Sequence, residues 1–219
     1  MKTNEELQKD VQDAIKWEPL LNAAEIGVTV NDGIVTLRGN VDSFAKKINV
    51  ELAVKNVAGV KAVVEKIRVH LGLRWKKSDS EIATDVLNVL NFNWGSITND
   101  LSVKVERGWI NISGELAWYN EKEAITKAVN GIFGVKGVTN NMTIKPIILD
   151  VTEKKDVENA LMRNWALKDI KIQVQVLDNR VTLIGIVHSL FQKEEAGRLA
   201  WNAPGVLSVS NELNIEYCC

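Results

Sequence analysis

The chain has 219 residues, 46% hydrophobic and 25% charged, with 27 Lys and Arg against 28 Asp and Glu for a formal net charge of −1. Such a composition supports a packed globular core, and it excludes a disordered or collagen-like chain and any global field that would draw the protein onto nucleic acid or an anionic membrane. Two His, and two Cys that stand side by side as Cys218 and Cys219, exclude a disulfide framework and leave little material for a metal cage. Neither a metal nor a cofactor is expected.

The opening MKTNEELQKDVQDAIKW has no apolar stretch and carries acids where a leader would not, and no apolar run approaches the length of a membrane span. Cytoplasmic residence is the expectation. Val11, Ala14 and Ile15 predict a first amphipathic helix. Val28-x-Val30 and Val35-x-Leu37-x-x-x-Val41 then alternate with polar Thr29, Asn31, Thr36 and Arg38, the period of two half-buried strands. Asp32-Gly33 between them is a tight hairpin signal, because such turns need a positive φ. Ser43 stands at an N-cap position, and Val50, Ala53, Val54 and Val57 predict a second helix that Gly59 is expected to stop. Ile67-x-Val69 reads as a last strand.

The same order returns twice. Val86, Val89 and Leu90 predict the next first helix, followed by strands at Val103-x-Val105 and Ile110-x-Ile112 around Arg107-Gly108. Ile125, Ala128, Val129 and Ile132 form the next helical stripe before Gly134, and Met142-x-Ile144 the next last strand. The third round runs through Val157, Ala160 and Leu161, then Val174-x-Val176 and Val181-x-Leu183 around Asp178-Asn179. There Asn179 replaces glycine as the next best residue for a left-handed conformation. Ser189-x-x-Gln192 has capping-box spacing ahead of Ala196, Leu199, Ala200 and Ala203, Gly205 follows, and Leu213-x-Ile215 closes the round. Gly39, Gly114 and Gly185 align the rounds: they lie 75 and 71 residues apart, and each precedes a Gly-Val pair by 20 residues. Three tandem units are predicted, at 1–75, 76–148 and 149–219. Each is an α+β αββαβ module, a three-stranded mixed sheet with two helices on one face and a polar opposite face. Short connectors at 76–80 and 146–152 predict that the units pack together.

The pattern Val28-x-Val30-x-Asp32-Gly33-x-Val35-x-Leu37-x-Gly39-x-Val41 followed by Gly59-Val60-x-x-Val63, with its two copies, resembles the BON domain, named for bacterial osmotically inducible and nodulation-associated proteins. The resemblance implies an αββαβ module without catalytic activity. It also implies a role in binding phospholipid or membrane surfaces under osmotic or general stress. Many members of that family are periplasmic, and this chain departs from them in having no evident leader.

The recurring positions Gly33, Gly39, Gly59, Gly108, Gly114, Gly134, Asn179, Gly185 and Gly205 read as architecture. Gly39, Gly114 and Gly185 are expected to mark a bend or a close helix approach at the end of the second strand. His70 and His188 have no Ser, Cys or acid recurring beside them, so both read as surface imidazoles. No glycine-rich phosphate loop is present, and an enzyme is not expected. Trp17, Trp94 and Trp165 follow the first helices and are expected to cover each small core, with a membrane-interface belt as the alternative. Trp109 and Ile34 face the otherwise polar side of their sheets, and packing between units is the expectation for them, with an exposed contact as the alternative. No unit is strongly basic, which argues against nucleic-acid binding. Lys46-Lys47 falls in the first turn of the second helix, where the macrodipole favours anions. It is therefore the candidate docking site for an anionic phospholipid headgroup. Two functions remain: a peripheral phospholipid-binding stress protein, or a scaffold that offers sheet edges or apolar patches to protein partners. Cys218 and Cys219 read as a frayed tail with free thiols.

Overall fold

The computed structural model describes residues 2–19, 21, 25–72, 76–95, 100–145 and 152–216. Cys218 and Cys219, and the connector at 146–151, lie outside them. The elements run α1 (Asn4–Lys16), β1 (Ile26–Asn31), β2 (Ile34–Val41), α2 (Phe44–Lys55) and β3 (Ala62–Val69); α3 (Asp79–Trp94), β4 (Leu101–Glu106), β5 (Trp109–Leu116), α4 (Tyr119–Asn130) and β6 (Gly137–Ile144); then α5 (Lys154–Arg163), β7 (Ile172–Leu177), β8 (Arg180–Val187), α6 (Leu190–Trp201) and β9 (Ser208–Ile215). The fold is α+β, with the αββαβ order three times. Each module has its own three-stranded sheet with the hairpin's second strand in the centre. In the second and third modules the hairpin is antiparallel and the last strand joins parallel, which makes the sheets mixed.

The hairpin turns follow from backbone conformation. Asn31 pairs with Ile34, Glu106 with Trp109 and Leu177 with Arg180, so each loop is two residues long. Both loop residues have positive φ: 49° and 85° at Asp32-Gly33, 54° and 82° at Arg107-Gly108, 48° and 59° at Asp178-Asn179. This is the turn whose twist matches that of the flanking strands.

The first helices of the first two modules, α1 and α3, start on capping boxes. The Glu6 amide donates to Thr3 Oγ1 at 3.2 Å while the Thr3 amide donates to Glu6 Oε2 at 2.8 Å, and Ser78 and Glu81 repeat the arrangement. At α6 the box is shifted. Ser189 Oγ accepts from the Gln192 amide at 3.2 Å, but the Gln192 side chain reaches one residue further back and accepts from His188 N at 2.8 Å.

Two expectations about glycine need correction. Gly59, Gly134 and Gly205 do not end the second helices, which stop four residues earlier at Lys55, Asn130 and Trp201. The tight turn into the last strand is where their positive φ of 97°, 90° and 76° is needed. Gly39, Gly114 and Gly185 do not mark a helix approach. With φ near +150°, they let the neighbouring strand's entry come close: a methyl there would strike the carbonyl oxygens of Glu25, Asp100 and Lys171.

The described chain divides into two compact units. One holds Met1–Gly39, Asn49–Ile67 and Ile148–Cys219, the other Asn40–Ile48 and Arg68–Ile147. In the second unit Ile82, Val86 and Leu90 of α3 close over Ile110 and Ile112 of β5 and Ile125 of α4, all buried. Phe44 and Ile48, from the first turns of α2, pack into that same core. In the first unit the third module's core joins Val157 and Leu161 to Leu183 and Leu213. It meets the first module where Gly59 N donates to His188 O at 2.9 Å and Lys55 Nζ bridges Glu51 at 2.7 Å and Glu194 at 2.9 Å. Burial by itself would lower the Lys55 pKa. The hydrogen bonds and charges of Glu194 and Glu51 outweigh it and raise the pKa above 10.5.

Candidate functional site

Helical geometry builds an exposed aromatic into the end of the first helix in the first two modules. Ile15 and Leu90 point into their cores, and the residue two positions on lies about 200° around the helix. Trp17, the C-cap of α1, is 85% exposed, and Phe92 of α3 is 91% exposed. The third module reaches the same result differently. Its helix stops at Arg163, and Trp165, 80% exposed, stands in the following turn between two pinned neighbours. Asn164 Nδ2 donates to Glu195 Oε1 at 2.8 Å, the Ala166 amide donates to Asn164 Oδ1 at 2.9 Å, and Gln192 Nε2 donates to the Ala166 carbonyl at 3.0 Å. The expectation that Trp17, Trp94 and Trp165 cover the cores therefore holds only for Trp94, which is half-buried against the second core. At Trp17 and Trp165 the chain has already turned past the core-facing stripe.

Glu195 anchors that pinned turn. Its two oxygens accept from Arg198 Nε and Nη2, both at 2.7 Å, and Arg198 followed by Asn164 holds the carboxyl below its ordinary 4.5. A carboxyl lowered in the folded state contributes stability above pH 4.5, and that contribution is lost as the pH falls through the lowered value. Glu195→Gln is expected to destabilise by about 1–3 kcal/mol at neutral pH. Its deficit against the parent should shrink in acid. A deficit constant from neutral to strongly acidic pH in urea titrations would refute this role.

Lys46 and Lys47 sit where the sequence places them, in the first turn of α2. Lys46 Nζ pairs with Asp42 at 2.7 Å, and its amide donates to Ser43 Oγ at 3.4 Å. Lys47 is likewise engaged. Asp42, beside the N-cap, supplies the negative charge that a helix start favours, which explains how two cations are tolerated there. Beside them lies an open recess of about 330 Å³, lined by Phe44, Leu71, Ile132 and Phe133 as well as Lys46 and Asp42.

Trp109 and Ile34 stay on the open sheet face, 51% and 44% exposed, so neither is buried by packing. The Trp109 ring lies over Gly137 of the adjacent strand and fills the place a side chain would take. His70 and His188 are both exposed, and His188 Nδ1 sits 3.0 Å from the Glu216 carbonyl. Among the described residues no cluster of His, Cys, Asp or Glu could hold a metal ion, and no helix is long and apolar enough to cross a membrane.

The sequence pattern of the BON domain matches residues 3–70, 78–146 and 150–217. Osmotically-inducible protein Y of Escherichia coli (strain K12) is 25% identical over 146 residues, which span 63% of this chain and 73% of that protein. The C-terminal domain of CdsD, the structural protein of the type III secretion system of Chlamydia trachomatis, aligns over 99% of this chain and all of its own, at 17% identity and a TM-score of 0.26. A second CdsD structure aligns over 95% of this chain at the same identity and score.

Proposed function

The chain belongs to the BON domain family, with three copies of the module, and from that premise we propose that it is a bacterial stress-related protein that binds anionic phospholipid surfaces. The family and the osmotically inducible relative support the stress-related role. The membrane part rests on one observation: a nearly fully exposed aromatic side chain at or just past the end of the first helix in every module, Trp17, Phe92 and Trp165. Aromatic residues are mostly buried, so a three-fold recurrence of exposure calls for something that covers them.

Burying one such ring in the headgroup and acyl boundary contributes about 1.5–3 kcal/mol, and a cation near an anionic surface about 1 kcal/mol. One module therefore binds weakly, and linkage of three raises overall avidity by about 10²–10⁴. Lys46 and Lys47 supply the cationic part in the first module. The reading gives the protein no chemical step.

Co-sedimentation with vesicles of phosphatidylglycerol and of phosphatidylcholine, across a salt series, tests it. Binding to the anionic vesicles alone, weakening with salt, is expected. The variant W17A/F92A/W165A should lose at least about tenfold in vesicle affinity with its melting temperature kept, because exposed side chains contribute little to folding. The charge-reversed K46E/K47E should flatten the salt dependence. Equal binding by the parent and the triple variant would overturn the membrane reading.

A further inference from the structure

The hairpin turns carry a second signal, independent of the exposed aromatics. A two-residue loop with both φ positive leaves both of its amides outside the strand ladder. In the second module both amides are taken by one carboxylate: Arg107 N donates to Asp79 Oδ2 at 2.7 Å and Gly108 N to Asp79 Oδ1 at 2.8 Å. The second module thus shows what this turn binds, an oxyanion held by two adjacent N–H groups.

The first module has the same turn without the anion. Asn4 stands 35 residues before Gly39, as Asp79 stands 35 before Gly114. Its single carbonyl oxygen accepts from Asp32 N at 2.9 Å, and the amide of buried Gly33 has no partner among the described residues. Gly33 lines an open cleft, so this N–H is available to an incoming acceptor. Gly33 and Asn4 line a cleft of about 920 Å³ within the unit that holds the first and third modules. Lys61 from the first module and Lys193 from the third also line it, and neither ammonium forms an ion pair among the described residues. Lys2 lies there too, paired with Asp10, and the carboxylates of Asp32 and Glu216 stand in the same lining.

We propose that this cleft binds a small phosphate monoester, whose oxyanion takes the place at Gly33 N that the Asp79 carboxylate occupies in the second module. Lys61 and Lys193 supply the countercharge. The cleft's volume admits an organic body as well as the phosphate.

Asn4→Asp is the decisive variant, since it rebuilds the Asp79 arrangement and fills the position with the protein's own carboxylate. Amide ¹H–¹⁵N spectra are recorded during titration with glycerol 3-phosphate, with inorganic phosphate, and with phosphatidylglycerol vesicles. In the parent, the Gly33 resonance should shift saturably with glycerol 3-phosphate. The affinity should fall at least tenfold in K61Q/K193Q and disappear in Asn4→Asp, while Lys136→Gln, beside the second module's turn, leaves it unchanged. A Gly33 shift with phosphatidylglycerol vesicles alone overturns the monoester assignment, because that headgroup phosphate is a diester. No Gly33 shift with any of the three probes, or unchanged binding by Asn4→Asp, overturns it. Asn4→Asp keeps Trp17, Phe92 and Trp165, so failure here is distinguishable from failure of vesicle binding.

Discussion

Replacing Gly39 or Gly114 by alanine is expected to destabilise the protein by at least about 3 kcal/mol, among the largest losses a single methyl can cause. Two costs combine. Both glycines hold φ near +150°, which L residues rarely adopt, and the added methyl would overlap the carbonyl oxygen of Glu25 or Asp100 on the adjacent strand's entry. A carbonyl at a strand entry cannot retreat without breaking the hairpin's register. Gly185 shares the φ but is less crowded, because its methyl would stand 2.7 Å from the Lys171 carbonyl. Gly185→Ala should therefore be the mildest of the three. Urea unfolding of the three single variants measures the order. A Gly185→Ala loss equal to or greater than that of Gly39→Ala would show that φ alone sets the cost.

Phe44→Ala is expected to cost about 3–5 kcal/mol, the range for truncating a buried aromatic. The damage should appear in the second module. Phe44 opens the second helix of the first module in sequence, yet its ring is buried among Ile82, Ile110, Ile112 and Val135. Hydrogen exchange is expected to show the larger loss of protection in β5, at Ile110 and Ile112, and a smaller one at Leu183 in β8. Unchanged protection at Ile110 and Ile112 would contradict the assignment of Phe44 to that core.

Much of the fold was legible in the chain. The three modules follow from glycine offsets, and the strands from alternation. The hairpins follow from Asp-Gly, Arg-Gly and Asp-Asn pairs whose φ values are all positive, with Asn179 taking the glycine position as expected. Thr3-x-x-Glu6 and Ser78-x-x-Glu81 carry the capping-box pattern as plainly as Ser189-x-x-Gln192, and both form fully. The candidate site was less legible. Trp17 and Trp165 suggest burial by residue type, and only the helix phase and the pinned turn at Asn164 leave them exposed. Lys46 and Lys47 were readable as an oddity of charge, but the Asp42 pairing that tolerates Lys46 depends on side-chain placement.

What the amino-acid order determined by itself is what a few neighbouring residues encode: turn φ, caps, and the periods of two and 3.6 that choose strand or helix. The tertiary structure alone decided that Phe44 serves the second module's core, that Gly39 answers to a neighbouring strand's carbonyl, and that Asn4 meets the hairpin turn at Asp32-Gly33. Those pairings join residues of low local specificity across tens of positions. Close packing, in which each backbone and side chain must find a fitting neighbour, selects among the many partners that local pattern leaves open.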